Sequence, residues 1–128
     1  MIEVRTANET TKFREVIKSL PPLANVRGLK YDEICVHFSF NILIKMKRYN
    51  PVVWSWYVLA GEKDSYEKWK FWGLIKKNRT DFDEFHLGEL QAIAESWNSD
   101  LVLDTRPEFT PLSEVMEKLG LKWYSNDR

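Results

Sequence analysis

Residues 52–59 read Val52-Val53-Trp54-Ser55-Trp56-Tyr57-Val58-Leu59. In an extended chain Val52, Trp54, Trp56 and Val58 point one way and Val53, Ser55, Tyr57 and Leu59 the other, so both faces are apolar. A strand of this kind sits inside a sheet that is covered on both sides. The same aromatics could serve as a stacking surface for bases. The core reading takes precedence, because several amphipathic helices must also be buried, and it predicts that Trp54 and Trp56 are buried together.

Working outward, residues 68–76 alternate again, with Trp69, Phe71 and Ile75 opposed to Trp72 and Leu74. A polar loop at 61–65 joins the two runs, which predicts a hairpin. Residues 33–40 place Ile34, Val36, Phe38 and Phe40 on one face, and Cys35, His37, Ser39 and Asn41 on the other. A further run at 42–47 follows, with a bend or turn near Asn41, and 48–51 is turn chemistry. A short strand is predicted at 82–87 and another at 101–103.

Helical periodicity marks three segments. Phe13, Val16, Ile17 and Leu20 give a helix at about 9–20, stopped by Pro21-Pro22. Leu87, Leu90, Ile93 and Trp97 give a second. Leu112, Val115, Met116 and Leu119 give a third, with Thr110 as its N-cap, Pro111 at its first position and Gly120 at its end. The expected fold is α+β, one domain over 1–128, with a mostly antiparallel sheet of about four or five strands, an N-terminal helix and two C-terminal helices.

The 128 residues are 44% hydrophobic and 30% charged, which are globular values. The longest apolar run, 51–61, is far shorter than the roughly 20 residues of a membrane-spanning helix. The first residues lack a signal-peptide pattern, and the single cysteine, Cys35, has no partner in the chain for a disulfide, so the expected location is cytoplasmic. Net charge is zero, but 1–60 carry nine Lys/Arg against five Asp/Glu and 61–128 carry ten against fourteen. This balance argues against a non-specific DNA binder, although it allows a local basic patch.

No metal motif or glycine-rich phosphate loop is present, and neither a metal nor a cofactor is expected. Cys35 and His37 share a strand face, but a buried thiol beside a partnered imidazole is the simpler account than a nucleophile with its base. Asp81, Asp83, Glu84 and Glu89, with Asp104, could be drawn as a nuclease-like carboxylate site; a solvated loop ahead of a helix explains them more simply. No catalytic residue is assigned. The candidate binding surface is Lys45, Lys47, Arg48, Trp72, Lys76, Lys77 and Arg79, with Trp72 as the aromatic most open to a functional role.

Five stretches, in order, carry a resemblance: Leu20-Pro21-Pro22-Leu23, Trp54-Ser55-Trp56-Tyr57, Phe71-Trp72-Gly73-Leu74, Glu84-Phe85-His86-Leu87-Gly88-Glu89-Leu90 and Phe109-Thr110-Pro111-Leu112-Ser113-Glu114. Together the chain resembles the domain-of-unknown-function family 2958, small proteins met mainly on plasmids, integrative elements and phages. It departs from that family at 85–90, where members usually read F-S-L-S-E-L, and at Leu103-Asp104, where an Arg-Asp pair is usual; 41–49 is expanded. The resemblance implies a mobile-element accessory protein and brings no catalytic residues with it. The expected function is non-catalytic binding of another protein, such as inhibition of a host defence system. Single-stranded nucleic-acid binding is the alternative, and a carboxylate-metal nuclease stands behind both.

Overall fold

The computed structural model describes residues 17–121, together with Glu15 and the backbone of Ile2–Glu3. The elements are β1 (Ile2–Glu3), α1 (Leu23–Val26), a 3-10 turn (Tyr31–Glu33), β2 (Cys35–Val36), β3 (Phe38–Ile44), β4 (Val52–Lys63), β5 (Trp69–Lys76), β6 (Thr80–His86), α2 (Leu87–Ser96), β7 (Leu101–Asp104), β8 (Thr110–Pro111) and α3 (Leu112–Lys118). The main sheet has the order β1-β7-β3-β4-β5-β6, and β2 pairs with β8 in a separate ladder. The five strands from β7 to β6 are each antiparallel to their neighbours, and β1 lies parallel to β7. The α+β architecture with a mostly antiparallel sheet is thus present, with β4 inside it.

Strand β4 runs on through Lys63, so the loop expected at 61–65 lies further along. Asp64 closes the turn: its Oδ1 accepts from the backbone N–H groups of Tyr66 (2.8 Å) and Lys68 (3.1 Å). Within β4 the register slips between Val58 and Ala60. Before this bulge Trp56 and Val58 join one core, made with Phe38, Phe40, Phe71, Phe85 and the α2 residues Leu90 and Ala94. After it, Leu59 and Ala60 both turn to the opposite face, where Leu59 meets Leu74, Leu112, Val115 and Met116 and Ala60 meets Leu23 and Val26. Two consecutive residues on one face are what an inserted residue produces.

Several sequence expectations are corrected. Ile34 and Val36 do not share a core with Phe38 and Phe40: they pack with α3, and the chain changes ladders at His37, whose N–H donates to Val58 O at 3.0 Å. No bend occurs at Asn41, because β3 is continuous and pairs residue for residue with β4 from Phe38 to Ile44. Thr110 is not a helix cap; it pairs with Val36 as part of β8, and Pro111 takes the N-cap position of α3. Trp56 is buried at 2% exposure but Trp54 is only half-buried, and Val52 at 40% is exposed, because cover runs out toward that end of β4. The helix expected at 9–20 is described only from Glu15, with 17–19 helical, Ile17 against the core and Leu20 buried; Phe13 and Val16 lie outside the described residues, as does most of 121–124.

Gly73 faces the bulge. A Cβ built there would lie 1.8 Å from the Tyr57 carbonyl oxygen, whereas one at Gly88, near the start of α2, would meet nothing within 4 Å. Gly73→Ala is therefore expected to lower stability by about 3 kcal/mol, since backbone must move to admit the methyl group. Gly88→Ala should raise it by up to about 1 kcal/mol through helix propensity and a less flexible unfolded chain. Urea midpoints of the two variants check both signs.

Candidate functional site

Strands β3 and β5 run toward the same end of the sheet, and β4 and β6 leave from it, so the 45–51 and 77–79 turns lie side by side. This brings together six of the seven candidate residues: Lys45, Lys47, Arg48, Lys77 and Arg79 are exposed, and Lys76 is half-buried beside Ser55. Among the described residues, none of Lys45, Lys47, Arg48, Lys76 and Arg79 forms an ion pair. The Lys77 ammonium lies 5.8 Å from the Trp54 ring centroid, within range of a cation–π attraction.

Trp72 stands apart from this group. It is half-buried, stacks on Phe82 with ring centroids 5.5 Å apart, and packs against the Leu23, Val26 and Ala60 cluster. Its neighbours give it a packing role. Trp54 is the tryptophan at the basic end, set edge-on to Trp97 at 6.1 Å.

Exposed apolar side chains gather at the same end. Among the described residues the large exposed hydrophobics are Leu43, Tyr49, Val52, Val53, Tyr66, Trp97 and Phe109, and the first four with Trp97 lie around the 45–51 turn and Trp54. Ser99 Oγ donates to the Leu43 carbonyl and fastens the end of α2 to β3 there. An open cleft of about 360 Å³ beside Trp54 is lined by Ile75, Lys77, Asn78, Arg79, Asp81 and Asp83.

The acidic set is parted by strand alternation. Asp81 and Asp83 face this cleft, while Glu84 turns to the other face, where Arg27 pairs with it and Lys70 lies 3.9 Å away. Glu89 meets His86 at 3.2 Å and Asp104 is held by Arg106. Among the described residues no group of three or more His, Cys, Asp or Glu side chains lies close enough to hold a metal. No hydrogen bond joins Cys35 to His37; the imidazole sits edge-on to Phe109 at 5.8 Å, and burial pushes its pKa down against the opposing charge of Glu108.

On the sheet face under α3, polar side chains line up across three strands. Ser39 is opposite Tyr57 and Asp104, and Asn41 is opposite Ser55 and Val102. Ser55 Oγ donates to Asn41 Oδ1 at 2.7 Å and Asn41 Nδ2 donates to Ser39 Oγ at 3.2 Å, with Tyr57 two residues along the same face from Ser55. Asp104 Oδ1 accepts from the Arg106 backbone N–H, and a guanidinium fork closes the pair with Nη2 to Oδ2 at 2.7 Å. These groups border a cavity of about 490 Å³, and a groove over Leu43, Val53 and Val102 leads from it toward the basic end. The strands spelled out the alternating Ser39 and Asn41, but cross-strand register alone brought Ser55, Tyr57 and Asp104 to them.

Comparison with protein-family models, curated proteins and solved structures found no match to this chain.

Burial, aided by the Asp104 charge and opposed by the Ser55 hydrogen bond, pushes the Tyr57 phenol above its ordinary 10.0. Absorbance titration should show a tyrosine ionising above pH 10, and Tyr57→Phe should remove that step. A raised folded pKa stabilises the protein fully below the unfolded value; the contribution fades as pH rises through the folded one. Alkaline unfolding of the Tyr57→Phe variant should accordingly lack this component.

Proposed function

We propose that the protein is a non-catalytic binding module that docks an acidic surface of another protein through the end of the sheet formed by the 45–51 and 77–79 turns. The observation that carries this reading is the coincidence of Leu43, Tyr49, Val52, Val53 and Trp97, all exposed, with six cations at one end. Exposed apolar side chains grouped beside charge of one sign suit a protein interface, with the apolar centre giving affinity and the cations steering approach. Asp81, Asp83 and Asp100 dilute the positive field but leave it in excess at this end.

Single-stranded nucleic acid is the second reading, favoured by the Trp54 cleft with Lys77 and Arg79. Stacking needs accessible aromatic faces. Trp54 already has Trp97 edge-on and Lys77 over it, and the open strand face offers the aliphatic Leu43, Val53 and Val102. A protein partner fits better. The resemblance to a mobile-element family supports a cytoplasmic setting and a host protein as the partner, with inhibition of a defence system as the use.

Two measurements test the reading together. The wild-type chain, immobilised and exposed to host lysate, should retain a specific protein that the Lys45→Glu/Arg48→Glu/Lys76→Glu variant loses, and the anisotropy of a labelled single-stranded oligonucleotide should stay flat at low salt. A salt-sensitive anisotropy rise, with no protein retained, would replace protein docking by strand binding.

A further inference from the structure

The cavity under α3 is built on a hydrogen-bond chain whose direction is fixed. Ser55 gives its single hydroxyl proton to Asn41, and Asn41 passes a donor to Ser39. Ser39, 3% exposed, ends the chain with its own proton unspent. Asp104 is saturated, since its oxygens accept the Arg106 backbone N–H (2.9 Å), Nε (2.9 and 3.0 Å) and Nη2 (2.7 Å). Asp104, Asn41 and Ser39 already accept hydrogen bonds, while the Ser39 hydroxyl proton, the outer guanidinium N–H groups of Arg106, the Thr110 hydroxyl and the Lys118 ammonium, 3.6 Å from Glu114, remain as donors. Among the described residues its ionised lining is Asp104, Arg106 and Lys118, one negative charge against two positive.

We infer that this cavity binds an oxyanion group, a carboxylate or a phosphate monoester carried by a small molecule. Either group brings only acceptors and one or two negative charges, which is what a donor-rich, singly positive cavity lacks. The Asp104 clamp holds the Arg106 guanidinium at the cavity wall, so its remaining N–H donors are ordered before binding. Pro107, Val115 and Leu119 line the rest and suit an apolar body behind the anionic group. The site lies further along the sheet than the basic end and stands independently of the protein-docking reading.

Backbone amide shifts of the full chain, followed by NMR, should move saturably at 104–110 and Ser39 when phenyl phosphate or benzoate is added, and not with chloride at matched ionic strength. The tighter of the two probes names the group. Arg106 is 79% exposed, so Arg106→Gln should fold normally, and it should weaken binding about tenfold or more by removing charge-assisted donors and uncovering Asp104. Lys118→Gln should weaken it less. The Lys45→Glu/Arg48→Glu/Lys76→Glu chain should titrate like wild type, which separates this site from the docking surface. Shifts no larger than those with chloride for both probes, or an undiminished response in Arg106→Gln, would overturn the assignment.

Discussion

The close approach of the Tyr57 carbonyl to Gly73 is the contact on which the two-layer arrangement rests. At that point β4 gains a residue, and Leu59 and Ala60 face the same way. The extra residue supplies side chains to the α1 and α3 layer without interrupting the Trp56 and Val58 contribution to the α2 layer. Only a residue without a Cβ leaves room for the displaced backbone opposite. Beyond the bulge, Gly61 takes the α2 side, where Leu20 and Phe71 fill the space a side chain would need.

Length explains why one end of the sheet is bare. Twelve residues of β4 extend about 40 Å at roughly 3.3 Å per residue. The ten residues of α2 reach about 15 Å and the seven of α3 about 10 Å. Helices this short cannot cover a strand that long, and the sheet outruns them on the side of the 45–51 turn. Apolar residues that would be core elsewhere are thereby exposed among lysines and arginines, and the proposed docking surface is the part of the sheet left without a roof.

The middle of the fold was plain in the letters: Trp56, Val58 and Leu59 are covered as their two-sided pattern demanded, though Val52 and Val53 are not, and Trp69, Phe71 and Ile75 separated correctly from Trp72 and Leu74. The switch at His37 was not, because apolar letters keep alternating from Ile34 to Phe40 while the backbone changes ladders. Nor was the bulge, since Leu59-Ala60 reads like any other pair. Trp72 looked available because lysines flank it in sequence, but its ring meets Phe82, Leu23 and Val26, residues from strands and helices distant in the chain. The basic cluster was legible as composition, and its convergence on one end follows from hairpin geometry. The polar chain from Ser55 to Ser39 was invisible for a different reason: it exists only with two strands in register, beside an Asp104 brought alongside by a third.

Strand β6 is outermost in the sheet order, and its side chains alternate Asp81 and Asp83 on one face with Glu84 on the other. An outer strand has unspent backbone hydrogen-bonding capacity, which is an invitation to a second copy of itself. Two such strands brought together would set Asp81 and Asp83 against their own copies on one face before any backbone bond could close, whereas Glu84 on the other is already paired with Arg27. The acidic letters that suggested a metal centre thus work against edge-to-edge pairing of two copies, as charge on an outer strand generally does.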